Sequence, residues 1–147
     1  MRIRTLIGIV ALGPTLAAAE QPAPFEARAS FVPASSSTAP AAIRLVLKSK
    51  DDDLRVSGRP WPGLRLSAAQ RSLTLVGPVP EAAGEATPGP RYVDLDQPLR
   101  FPVKLNTAAP PAAHAVEATL SFVYCSTSKG WCRKATQRVE IPVEEDR

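Results

Sequence analysis

Val116 to Ile141 reads V-E-A-T-L-S-F-V-Y-C-S-T-S-K-G-W-C-R-K-A-T-Q-R-V-E-I and holds both cysteines of the 147-residue chain. In its first half Val116, Ala118, Leu120, Phe122 and Tyr124 fall on one face, and Glu117, Thr119, Ser121, Val123 and Cys125 on the other. That is the period of a half-buried strand. The apolar set predicts the core face, and Cys125 falls at the strand end on the mostly polar side. After Cys132, the residues Gln137, Val139 and Ile141 alternate with Thr136, Arg138 and Glu140, as a returning partner strand would. The stretch therefore predicts a β-hairpin with the cysteines at its mouth, separated by Ser126 to Trp131.

Pairing Cys125 with Cys132 sets Ala118 opposite Val139 and Val116 opposite Ile141, apolar against apolar on the core face. This register predicts cysteine Cα atoms roughly 4.5 to 5.5 Å apart, within disulfide range. A bridge there closes a small loop, which the chain-entropy estimate makes stabilising by about 2 to 3 kcal/mol. Lys129, Arg133, Lys134 and Arg138 cluster about the pair in sequence, and positive charge favours the thiolate that attacks a disulfide. Trp131 and Tyr124, each beside a cysteine, are placed to shield the sulfurs or to offer a partner a flat surface. The same spacing fits a structural hairpin disulfide with incidental basic neighbours, because exported proteins commonly pair two cysteines for stability.

The chain opens as an export signal. Met1 to Arg4 is a basic leader, Thr5 to Leu12 an apolar run, and Ala17-Ala18-Ala19 a small-residue cleavage site before Glu20. Residues 1–19 are thus expected to be removed, leaving 20–147 as one domain with one core. Neither the apolar run nor any later stretch approaches the ~20 residues that span a bilayer, so no stable membrane insertion is expected. Loss of Arg2 and Arg4 leaves 16 basic against 14 acidic side chains. That balance argues against a nucleic-acid partner, which a basic patch interleaved with aromatics would mark. Export together with two cysteines points to an oxidising compartment, periplasmic or secreted.

Sixteen prolines spread through nearly every segment argue against long helices. Short extended runs between turn signals predict an all-β sandwich instead. The runs are Phe25 to Val32, Ile43 to Lys48, Leu54 to Ser57, Leu64 to Ser67, Ser72 to Val76, Arg91 to Asp94 and Leu99 to Leu105, followed by the hairpin, whose last strand extends through Val143. Pro102 places its strand at a sheet edge or bulge. Gly77 to Pro90 is the best candidate for a mobile loop, with a second soft loop at Asn106 to Ala113, and the charged tail Glu144 to Arg147 is expected to fray.

Conventional catalytic constellations are absent from the sequence. Asp51-Asp52-Asp53 lacks the spaced ligands and glycine of a calcium loop and reads as a solvated turn. His114, the one histidine, reads as a surface residue rather than a metal ligand. Ser126 and Lys129 match S-x-x-K, but on a hairpin rather than the helix that motif requires, and the match reads as coincidence. Trp61, in Gly58-Arg59-Pro60-Trp61-Pro62-Gly63, reads as a loop anchor packed on the sandwich. No cofactor or metal site is expected.

The order of I-R-L-V-L-K, the segment R-Y-V-D-L-D-Q-P-L-R-F-P-V-K-L, and A-T-L-S-F-V-Y-C-S-T-S-K-G-W-C resembles the N-terminal periplasmic domain of the thiol:disulfide interchange proteins of the DsbD family, over roughly Phe25 to Pro142. The resemblance implies an immunoglobulin-like β-sandwich in which Cys125 and Cys132 shuttle between dithiol and disulfide. It implies thioredoxin-like periplasmic proteins and a membrane electron donor as partners, and a cap loop over the sulfurs near Glu81 to Asp94. Three features depart from the family. The loop between the cysteines is slightly longer. Ala82-Ala83-Gly84 stands where the cap's aromatic is expected, with Tyr92 as a substitute. The membrane and thioredoxin domains of the family are absent, so a separate electron donor is expected.

Overall fold

The computed structural model describes residues 24–67, 72–84, 89–106 and 115–142. The export signal, the cleavage site, His114, most of the 106–113 loop, Val143 and the charged tail lie outside the described residues.

Among the described residues eight strands form two antiparallel sheets, an all-β sandwich. The first sheet has the order β1-β2-β6-β5, built from β1 (Phe25–Val32), β2 (Ala42–Ser49), β6 (Leu99–Leu105) and β5 (Leu73–Leu75). The second centres on the longest strand, β7 (Ala115–Ser126), with β8 (Cys132–Pro142) along one side. Along the other side lie β3 (Leu54–Val56) and β4 (Gly63–Leu66), which share β7 end to end. The break between them is Gly58 to Pro62, where prolines remove the donors a continuous strand would need. Among the described residues the one helical element is a 3₁₀ turn at Glu81–Gly84.

Alternation places the core. Ile43, Leu45 and Leu47 of β2 and Phe101 and Val103 of β6 face Leu120, Phe122, Val139 and Ile141 of the second sheet, all of them buried. Full burial of such a side chain stabilises the fold by about 1.5–3 kcal/mol. Phe25 crosses between the sheets, edge-on to Phe122 and Tyr124 with ring centroids 5.2 and 5.4 Å away. Trp61 packs against this core as the loop reading anticipates.

Pro102 sits within a strand that has neighbours on both sides, a difference from the edge or bulge expected of it. It pairs with Ala42 of β2, while on its other side its carbonyl accepts from Val76 N at 2.9 Å. The pairing with β5 runs only from Val103 to Leu105, so the ring nitrogen lies where that ladder ends and no donor is needed. Arg91 to Asp94 is not a strand either. A single bridge, Ser57 to Tyr92, ties it to the outer edge of β3, reinforced by Val93 N donating to Val56 O at 2.8 Å and Gly58 N to Arg91 O at 3.2 Å. The first part of the Gly77–Pro90 loop is tied down, with Pro80 fully buried and Leu64 N donating to Pro78 O at 2.9 Å.

Candidate functional site

The hairpin closes in the register that the sequence predicts, with Val116 opposite Ile141, Ala118 opposite Val139 and Cys125 opposite Cys132. Ser126 N donates to Trp131 O at 2.9 Å, so Ser126 and Trp131 form a hydrogen-bonded pair. Cys125 and Cys132, one step along, are then a non-hydrogen-bonded pair, in which facing residues approach most closely. Their sulfurs are joined in a disulfide, with Cα atoms 4.0 Å apart, closer than the expected range.

The two cysteines are not equivalent. Cys125 is 7 % exposed, whereas Cys132 is solvent-exposed. The cause is strand position: β7 has neighbours on both sides, and Arg55 of β3 lies directly opposite Cys125, while β8 pairs only with β7. Cys125 therefore lies on the polar side, as its parity demands, yet covered. A cleft of about 360 Å³ opens against the bridge, lined by Cys125, Cys132, Ser126, Trp131, Arg91 and Tyr92 among others. Tyr92 thus lines the same cleft as the two cysteines. The segment Glu81–Gly84, expected in that cap, packs elsewhere: Glu81 pairs with Arg100 of β6 at 3.2 Å, in the other sheet. Residues 85–88 lie outside the described residues.

Of the four basic residues clustered in sequence, the fold carries Arg138 away from the pair and turns Arg133 onto an aromatic ring. Arg133 stacks over the Trp131 ring, 4.3 Å from its centroid, and Trp131 in turn meets Tyr124 edge-on at 5.8 Å. Arg138 is six residues up β8 from Cys132, about 20 Å at the rise of an extended strand. Lys129 is exposed on the loop. Lys134, two residues from Cys132, and Arg55, opposite Cys125 across β7, are strand cations on the face that carries the bridge. Arg55 was not legible as a neighbour, because nothing in its own stretch places β3 against the end of β7.

Asp53 was also missed. Its carboxylate binds the hairpin loop from the far side of a 73-residue separation. Oδ2 accepts from the Ser126 hydroxyl and, at 2.9 Å, from the Ser128 hydroxyl. Oδ1 accepts from Thr127 Oγ1 and from Ser128 N, both at 2.8 Å. The Asp53 carbonyl adds Thr127 N at 3.1 Å. These donors, led by the Ser126 hydroxyl, hold the carboxyl well below its ordinary pKa. The solvated-turn reading holds for the exposed Asp51 and Asp52 but not for Asp53. Ser126, 2 % exposed, also accepts from Lys129 N at 3.1 Å, so its hydroxyl shapes the turn, in keeping with S-x-x-K being coincidental. Gly130, at φ 71°, takes the left-handed conformation that favours glycine in the connection between β7 and β8.

No protein-family model, no curated protein and no solved structure matches this chain.

Proposed function

We propose that this chain is an exported, periplasmic thiol–disulfide exchange module, an immunoglobulin-like sandwich akin to the N-terminal domain of the DsbD family, with Cys125 and Cys132 as its redox pair. The observation that carries the reading is the asymmetry of the bridge: one exposed cysteine and one covered cysteine beside an open cleft. An incoming thiolate has access to Cys132, and the covered Cys125 is the natural leaving and resolving sulfur.

Reduction then proceeds in two displacements. A partner thiolate attacks Cys132 Sγ, forming a partner–Cys132 disulfide and releasing Cys125 as a thiolate that takes up a proton. The partner's second thiolate attacks its own sulfur in the mixed disulfide and releases Cys132, which is protonated in turn. Two electrons and two protons pass to this chain, and the partner leaves oxidised. In the opposite direction the Cys132 thiolate attacks a partner disulfide and Cys125 resolves it. The partners are thioredoxin-like periplasmic proteins or a membrane electron donor.

Burial of Cys125 favours a second reading, a non-enzymatic interaction module whose disulfide only closes the hairpin. Equilibration with glutathione separates the two. An exchange-competent bridge has a potential more oxidising than about −300 mV, whereas a structural one lies below that value.

A further inference from the structure

The hairpin loop between the cysteines is held by something other than the disulfide. Four donors from three consecutive residues, Ser126, Thr127 and Ser128, converge on the Asp53 carboxylate, and Ser126 is the residue next to Cys125. Both carboxylate oxygens are doubly engaged, and the backbone of Asp53 is itself bound by Thr127. Leu54, the next residue along, lies opposite Ser126 in the β3–β7 ladder, which fixes the carboxylate relative to the loop. Cutting the S–S bond removes none of these contacts.

The geometry points to Asp53 as a positioning residue that keeps Cys125 and Cys132 within bridging distance in the dithiol form, and so sets how readily the disulfide re-forms. The physical basis is effective concentration. Two thiols on an ordered loop meet far more often than two on a loose one, which favours the disulfide at equilibrium. The role deepens the exchange reading, yet the quantity it controls is measured on the isolated protein whatever its partner.

The test uses glutathione as the redox probe. Two glutathione thiols reduce the bridge to the Cys125–Cys132 dithiol and leave joined as oxidised glutathione, so electrons and protons balance. The full chain, Asp53→Ala, and the donor-side variant Thr127→Val, Ser128→Ala are equilibrated in defined glutathione mixtures, acid-quenched and resolved by mass. Asp53→Ala is expected to lower the effective concentration of the dithiol about tenfold, which makes its bridge easier to reduce. The donor-side variant is expected to shift the same way by a smaller factor. Combining the two is expected to add little to Asp53→Ala, since both break one set of contacts. General destabilisation does not produce this shift in a protein folded on both sides of the equilibrium, and circular dichroism of both forms verifies that condition. If Asp53→Ala does not fold, Asp53→Asn, which keeps one acceptor oxygen, and the donor-side variant decide. Constants within about twofold of the parent in every folded variant overturn the assignment. Trapped partners with unchanged constants remove Asp53 alone, whereas shifted constants without partners remove the exchange function alone.

Discussion

The two halves of the β7–β8 hairpin are built differently. At its base, Val116 and Ala118 face Ile141 and Val139, all four within the core. At its tip, Tyr124 and Cys125 of β7 are buried while Arg133 and Cys132 opposite them on β8 are exposed. The base is anchored by apolar burial on both strands, and the tip by burial on one strand together with a polar clasp from Asp53. Apolar burial anchors the base, and the tip leaves Cys132 exposed.

Four variants probe that contrast, in descending order of expected effect. Leu120→Ala, at a fully buried position of β7, should cost about 2–5 kcal/mol in chemical denaturation. The paired variant Cys125→Ala, Cys132→Ala should fold and lose no more than about 2.5 kcal/mol, the chain-entropy value for so short a loop. A collapse of the fold, or a loss exceeding that of Leu120→Ala, would mean that the tip and not the base carries the hairpin. Asp53 should appear in the acid limb of the stability profile. Its carboxyl pKa is depressed in the folded state from an ordinary 3.8. The stabilisation it gives is therefore complete above about pH 5 and is withdrawn as pH falls below about 4 toward the folded-state value. Melting temperatures measured between pH 2 and 5 should accordingly fall less steeply for Asp53→Asn than for the parent. Arg138→Ala, exposed and far up β8, should change stability by less than about 0.5 kcal/mol and leave the glutathione equilibrium unmoved.

The hairpin was legible in the sequence because period-2 alternation and apolar facing pairs admit one register, and a one-residue slip would expose Val139 and Ile141. Phe25–Val32 and Leu99–Leu105 were legible for the same reason. Arg91 to Asp94 misled because R-Y-V-D alternates like a strand, whereas it makes a single bridge, Ser57 to Tyr92, and the chain turns at Asp94, whose carboxylate accepts from Asp96 N at 3.0 Å. Asp53 was illegible for a different reason. Three successive aspartates look like a solvated turn, and the hydroxyls that hydrogen-bond to one of them lie more than seventy residues away. The S-T-S run beside Cys125 was the available sign, a row of donors with no local acceptor. The basic cluster shows the converse error, since nearness in sequence along an extended strand is distance in space: Arg138 and Cys132 share a face but not a site.

The exposed residue Cys132 gives the most direct test of the account. Cys125→Ala and Cys132→Ala variants, each with one thiol left, are expressed with export to the periplasm, acid-trapped and examined for mixed disulfides. The account predicts that Cys125→Ala, which keeps Cys132, is captured by thioredoxin-like proteins or a membrane electron donor, and that Cys132→Ala is captured far less. Mixed disulfides from neither variant, or chiefly through Cys125, would contradict it.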